Sequence, residues 1–299
     1  MISFSRRLVC LFFLALTAAS PLEARELVDQ AGRRVTIPPN PLRVVSLAPS
    51  VTEIVFGLGQ GHRLVGATQY SDYPDQARQL PRVGTYVRLD LERIMALKPD
   101  LCIAVKDGNP KAAVERLESL GIPVYAVDPR SLDAIMEAVA RIGRVLGSER
   151  EAEGLRKDMR ARIDAVAAKS AAISGNNPTV FYQIGSAPMV SVGKGSYIHE
   201  LITLAGGVNI AAEAGMYPRY TEEEVVAAAP EVILISAMRS QESQAMRRRW
   251  ERFPSIPAVQ NDRVEMVDTD LFDRPSPRLV LALEQLFGIL HPSAASEQP

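Results

Sequence analysis

Tyrosines, carboxylates and one arginine-bearing acidic run are the side chains whose placement could do chemistry in this chain. Tyr70 and Tyr73 lie in Gln69-Tyr70-Ser71-Asp72-Tyr73-Pro74. Tyr86 and Tyr217 occupy other turn-rich stretches, and Asp270-Leu271-Phe272-Asp273-Arg274-Pro275 mixes acid, apolar and basic groups. A tyrosine combines an apolar face with a polar tip, which suits a flat amphipathic ligand. Each of these residues alone fits ordinary packing equally well. Together, at expected strand-to-helix junctions in both halves of the chain, they point to a binding cleft.

Nothing comparable points to catalysis. His62, His199 and His291 are far apart, and none sits in a hydrolase or metal motif. His199 follows Ser196-Tyr197 one turn into an expected helix, where a surface or capping role outweighs ligation. Gly57, Gly59 and Gly61 follow a helix instead of opening one, which fits a helix C-terminus better than a dinucleotide turn. The catalytic set is therefore expected to be empty, as is the set of metal ligands and cofactors. Cys102, in Leu101-Cys102-Ile103-Ala104-Val105, reads as a buried structural thiol, since reactive thiols need exposure.

The elements that would position the tyrosines alternate. Strands are expected at 44–47, 64–67, 101–105 and 124–127, with helices at 51–58, 91–97, 112–120 and 132–146. Apolar runs alternating with amphipathic stretches argue for a parallel sheet covered by helices. A short hairpin precedes them, with strands at 26–29 and 34–37. From Glu149 to about Ala172 the pattern changes: Leu155, Met159, Ile163 and Val166 draw one apolar stripe on a long polar helix of about 36 Å. Alternation then resumes, with strands at 180–184, 232–236 and 264–267 and helices around 198–205, 223–228, 241–252 and 277–290.

An internal echo organises this order. Leu89 to Ile103 aligns without gaps on Tyr220 to Leu234: cap, acidic first turn, short helix, proline stop, acid, buried strand. The chain is thus expected to hold two Rossmann-like α/β lobes joined by one long α-helix. The expected boundaries are 25–147 for the N-terminal lobe, 148–173 for the connecting helix and 174–292 for the C-terminal lobe, with a disordered tail at 293–299. Ligands of open α/β sheets bind outside the carboxyl ends of the strands, so two facing edges make one inter-lobe site. A helical connector allows only small opening and closing. The echo also makes Glu92 and Glu223 equivalent. They either complement two helix dipoles or form a matched pair, one per lobe, that docks onto a two-fold symmetric partner.

The 299 residues are 47% hydrophobic and 23% charged, with net charge −1, which gives no basis for a nucleic-acid partner. The one dense basic run, Arg247 to Arg249, reads as a solvated helix face. Arg6 and Arg7 followed by the apolar stretch Leu8 to Ala19 have the form of a signal peptide, with 1–24 removed and Cys10 with it. The mature protein is therefore expected to be exported, soluble and free of internal disulfides.

Several of these stretches also resemble a known family. Arg43-Val44-Val45-Ser46-Leu47-Ala48-Pro49 with Thr52-Glu53, the Tyr70–Pro74 stretch, Leu91-Glu92-Arg93-Ile94 with Leu97-Lys98-Pro99-Asp100-Leu101, Gly206-Gly207-Val208-Asn209-Ile210, and Asp270 to Arg278 are similar to the helical-backbone (class III) periplasmic binding proteins. Ser-Asp-Tyr-Pro and Asp-x-Phe-acid-Arg-x-Ser-Pro-Arg look more specific to the cobalamin-binding branch. The resemblance implies that Tyr70, Tyr86, Tyr217, Asp270, Leu271, Phe272, Asp273 and Arg274 line the ligand cleft. It also implies that Glu92 and Glu223 pair with arginines of an ABC transporter permease dimer. The chain departs from the branch in carrying Tyr86, Val105, Tyr217 and Leu271 where tryptophans occur, and in lacking a C-lobe disulfide. The expected function is periplasmic capture of a corrinoid (cobalamin) by a monomer and its delivery to an ABC importer. A heme or ferric-siderophore binder is the alternative within the class, and an exported α/β enzyme the alternative outside it.

Overall fold

The computed structural model describes residues 24–295 apart from 176 and 237–239. The expected signal peptide and the end of the chain fall outside these residues. In the N-terminal lobe the elements are β1 (Arg25–Val28), β2 (Arg34–Ile37), β3 (Val44–Ser46), α1 (Pro49–Gly57), β4 (Leu64–Ala67), β5 (Gly84–Thr85), β6 (Arg88–Leu89), α2 (Leu91–Ala96), β7 (Leu101–Val105), α3 (Lys111–Ser119), β8 (Val124–Val127) and α4 (Leu132–Leu146). The connector is α5 (Glu149–Ala171). The C-terminal lobe adds β9 (Thr179–Gln183), α6 (Tyr197–Leu204), β10 (Val208–Asn209), α7 (Glu222–Ala228), β11 (Val232–Ile235), α8 (Ser240–Trp250), α9 (Pro257–Gln260), β12 (Val264–Met266), α10 (Thr269–Phe272), α11 (Leu279–Leu290) and α12 (Pro292–Ala295).

Each lobe is built on a four-stranded parallel sheet, in the order β4-β3-β7-β8 and β10-β9-β11-β12. The two orders are the same when strands are matched by position in the chain. Every residue of β7 and of β11 is buried, as parallel strands covered on both faces require. Cys102 is among them, reduced, and burial pushes its thiol up to about 12.

The internal repeat is visible in the backbone. Asp90 and Thr221 both cap their helices by accepting from the amide three residues on, Arg93 N at 3.1 Å and Glu224 N at 3.2 Å. Lys98 and Ala229, equivalent in the echo, both adopt φ 47 immediately before Pro99 and Pro230. One residue further, Asp100 accepts from Arg43 N at 3.0 Å at the start of β3, and Glu231 accepts from Thr179 N at 2.8 Å at the start of β9. The two halves thus share side-chain latches as well as strand order.

The connector has 23 residues, about 34 Å. Its buried stripe is Ala152, Met159, Ile163 and Val166. It packs against α4 of the N-terminal lobe and against α11 and α6 of the C-terminal lobe. The lobes meet at more than this rod. One hydrophobic core runs from Ile103, Tyr125 and Ile142 through Met159 and Ile163 to Val180, Leu201 and Leu283. The Glu200 carboxylate on α6 caps α4 by accepting from Leu132 N at 2.7 Å. The Arg162 guanidinium on α5 makes a two-pronged pair with Glu284 on α11, at 2.8 and 2.7 Å. A continuous core with crossing polar ties opposes a wide hinge more firmly than a single helix would. At the C-terminus, the helical turn of α12 occupies part of the stretch expected to be a disordered tail.

Candidate functional site

The site starts at the carboxyl ends of β3 and β7, where the strand order reverses direction. Asn109, buried just after β7, holds this corner together. Its Nδ2 donates to Leu47 O and to Tyr86 O, each at 2.8 Å, and its Oδ1 accepts from Val105 N at 2.7 Å. The loop bearing Tyr86 is therefore pinned to the sheet edge. Tyr217, in the C-terminal lobe, is 59% exposed.

Both tyrosines act on a shared neighbour. Burial pushes the Tyr197 hydroxyl well above its ordinary value, helped by the charge of Asp273 and by the nearness of Tyr217 and Tyr86. Tyr217 is likewise raised by burial and then by Asp107, against the opposing effect of Arg130. These charge effects bring Tyr86, Asp107 and Arg130 of the N-terminal lobe near Tyr197, Tyr217 and Asp273 of the C-terminal lobe. The Arg130 guanidinium is held by Asp128 at 2.8 Å and by Asp107 at 2.8 Å. Asp273 accepts from Tyr182 Oη at 2.9 Å and from Ser236 Oγ. Burial raises its carboxyl above the ordinary 3.8, and the two hydroxyl donors counter that in part.

A second contact between the lobes is an ion cluster. From the C-terminal lobe, Arg274 donates to Glu53 at 3.1 Å, to Asp72 at 2.7 Å and to Asp270. Glu53 also accepts from Ser276 Oγ at 2.6 Å and Arg278 at 3.2 Å. The Arg278 guanidinium lies over the Tyr73 ring, 3.9 Å from its centroid. Burial lifts the Glu53 carboxyl above 4.5 despite these donors. At Asp72 burial opposes ionisation, but Arg274 prevails and holds it below 3.8. A buried hydroxyl chain positions the N-terminal half of this cluster. Thr52 Oγ1 lies 2.8 Å from Ser46 Oγ and 2.9 Å from Ser71 Oγ, and Thr68 Oγ1 meets Ser71 Oγ at 3.0 Å. Arg82 clamps the same loop through Thr68 O and Ser71 O, at 2.9 and 2.8 Å.

Two of the residues expected at the ligand are buried. Phe272 is completely buried in the shared core. Arg274 is only 8% exposed, and its guanidinium, engaged by three carboxylates, joins the lobes. The expected loop around them is the short helix α10, capped by Asp268, which turns Phe272 inward. Leu271 is half-buried against the core, and Asp270 is half-exposed beside Arg274. Tyr70 is 42% exposed on the loop that carries Asp72. Glu53, Asp72, Ser276, Arg278, Tyr197, Asn109 and the Asp107–Arg130 pair were not singled out from sequence as site residues. Thr52-Glu53 and Ser-Pro-Arg did stand among the family marks, and they prove to be two sides of one contact.

No group of three or more His, Cys, Asp or Glu side chains among the described residues could hold a metal ion. His199 is half-buried, meets Asn209 Nδ2 at 3.2 Å, and is held below 6.5 chiefly by burial. His291 Nε2 contacts Ala205 O at 2.9 Å. Both have packing roles. Arg247 and Arg249 pair with Asp262 and Glu222 on the outer face of the C-terminal lobe, and Arg248 is exposed.

Comparison with known proteins places these features. A family profile described as periplasmic binding protein matches residues 44–271. A vitamin B12-binding protein of Vibrio cholerae is 35% identical over 246 residues, covering 82% of this chain and 87% of that protein. The crystal structure of the periplasmic vitamin B12-binding protein of Vibrio cholerae superposes with TM-score 0.74 at 33% identity, covering 86% of this chain and 99% of that one. A periplasmic heme-binding protein from Pseudomonas aeruginosa superposes with TM-score 0.78 at 29% identity, covering 85% and 94%.

Proposed function

The chain belongs to the periplasmic binding protein family, and on that footing we propose that it captures a corrinoid, cobalamin first among them, in its inter-lobe groove and delivers it to an ABC importer. One observation carries the choice of guest. Among the described residues, the three guanidiniums of the two inter-lobe clusters are already paired with carboxylates: Arg130 with Asp107 and Asp128, Arg274 with Glu53, Asp72 and Asp270, and Arg278 with Glu53. Heme propionates or an anionic ferric siderophore call for free cations. A corrinoid, rimmed by neutral amides, calls for flat apolar faces and polar tips, which Tyr86, Tyr197, Tyr217 and Tyr70 supply. The names of the vitamin B12-binding relatives point the same way.

Capture of this kind needs no covalent step, and the reading assigns no catalytic residue. Export through the Arg6-Arg7 and Leu8–Ala19 leader would place the mature chain in the periplasm as a soluble monomer. Delivery would use Glu92 and Glu223, both exposed and both without a partner among the described residues, as contacts to a permease dimer. Neither is needed as a cap, because Asp90 and Thr221 fill that role.

Heme is the second reading, favoured by the fold likeness to the Pseudomonas aeruginosa protein and by exposed tyrosine hydroxyls that could ligate iron. Absorbance titration of the purified protein with cyanocobalamin, hemin and a ferric hydroxamate separates the readings. A saturable, one-to-one complex with cyanocobalamin alone is expected. A stoichiometric complex with hemin and none with cyanocobalamin would reverse the assignment.

A further inference from the structure

The two copies of the repeat differ at most positions, and the exceptions are informative. Between 88–103 and 219–234 the identical residues are Arg88 and Arg219, Glu92 and Glu223, Ala96 and Ala227, and Pro99 and Pro230. The alanines favour the helix, and the prolines stop it after the left-handed residues at 98 and 229. The arginines have no such internal reason. Arg88 and Arg219 are exposed, and neither side chain has a hydrogen bond or ion pair among the described residues. Most other arginines of the molecule are tied to carboxylates or carbonyls, Arg93 to Asp90 among them.

Their placement matches as well as their identity. Arg88 pairs with Thr85 in the antiparallel β5–β6 ribbon, two residues before the cap Asp90. Arg219 bridges antiparallel to Val190, two residues before the cap Thr221. Each arginine therefore leaves an extended segment four residues ahead of an unpartnered glutamate in the first turn of its helix. Each lobe presents one free base and one free acid in the same local frame.

We propose that Arg88 and Arg219 are a second matched pair of docking contacts, so that the partner is a two-fold symmetric assembly offering an acidic group beside a basic group on each half. This rests on the reading that an importer permease dimer docks at Glu92 and Glu223, and it adds the opposite charge to that surface. A partner carrying only arginines would meet repulsion from Arg88 and Arg219. A partner carrying alternating charge gains from all four side chains and is steered into register by them.

The test measures docking of the ligand-loaded protein to its cognate permease in lipid nanodiscs, with corrinoid affinity measured in parallel. R88E/R219E is expected to dock about tenfold more weakly or worse, with ligand affinity unchanged and each single variant taking a comparable share. Docking within twofold of the unaltered protein, or a loss carried by one arginine alone, would overturn the proposal. E92Q/E223Q runs alongside as the control for the surface. If the glutamine variant loses docking while the arginine variant does not, the arginine pair is wrong and the docking face stands. If neither loses docking, the docking face itself is wrong.

Discussion

Arg274 reaches from the C-terminal lobe to Glu53 in the N-terminal lobe, 3.1 Å away and 221 residues earlier in the chain, and both side chains are almost wholly buried. Asp72 joins the same contact from the loop that carries Tyr70 and Tyr73. The contact holds the lobes at a set spacing by means other than the connecting helix. Stiffness of this kind lets a binding protein present a formed site and lose little freedom when the guest arrives.

Removing the arginine should therefore be costly. Arg274→Ala leaves the buried Glu53 with only Ser276 and Arg278, and frees Asp72 and Asp270 of their counter-charge. Breaking one side of a buried ion pair typically costs about 3–5 kcal/mol. Urea denaturation is expected to show a loss of that order. A loss below about 1 kcal/mol would mean that the cluster behaves like a surface pair.

Glu53→Gln should behave differently, and its pH dependence gives the sign. Burial raises the folded-state carboxyl above 4.5, so the folded protein holds this proton more tightly than the unfolded chain does. Linkage then makes the contribution of Glu53 most favourable below pH 4.5 and progressively less so as pH rises through the raised value. The stability of the unaltered protein relative to Glu53→Gln should fall across that window and level off above it. Thermal melts of both proteins from roughly pH 4 to roughly pH 8 would read this. A relative stability that rises with pH would contradict the account.

The tyrosines should separate binding from folding. Tyr217 is more than half exposed and Tyr86 half-buried, so truncating either removes little core. Tyr86→Ala and Tyr217→Ala are each expected to weaken cyanocobalamin binding about tenfold, the scale of one lost aromatic contact, with the melting temperature nearly unchanged. Phe272→Ala is the contrast. It empties a core position and should cost about 3–5 kcal/mol of stability, with affinity affected only through that loss.

Much of the fold was legible because it is written in periodicity. The runs at β7 and β11 are wholly apolar, α4 runs over the expected 132–146, and the stripe Met159, Ile163, Val166 marks the connector. Short elements were not legible. The two residues of β10 and the four of α10 carry too little pattern to stand out from turns. That is why Phe272, set among polar residues, read as a ligand contact when α10 turns it into the core. The Glu53–Arg274 cluster was invisible for another reason: its members come from three distant segments, and no local spacing reports such a contact. The family marks did hold both sides, since the Ser71–Tyr73 and Arg274–Arg278 stretches touch each other across the lobes.

Hydrogen–deuterium exchange with and without saturating cyanocobalamin tests most directly whether one guest is gripped by both lobes. The account predicts slower exchange in the segments around Tyr86 and Asp107 in one lobe and around Tyr197 and Tyr217 in the other, with the outer helices α3 and α8 unchanged. Slowed exchange confined to a single lobe, or located away from these four segments, would contradict it.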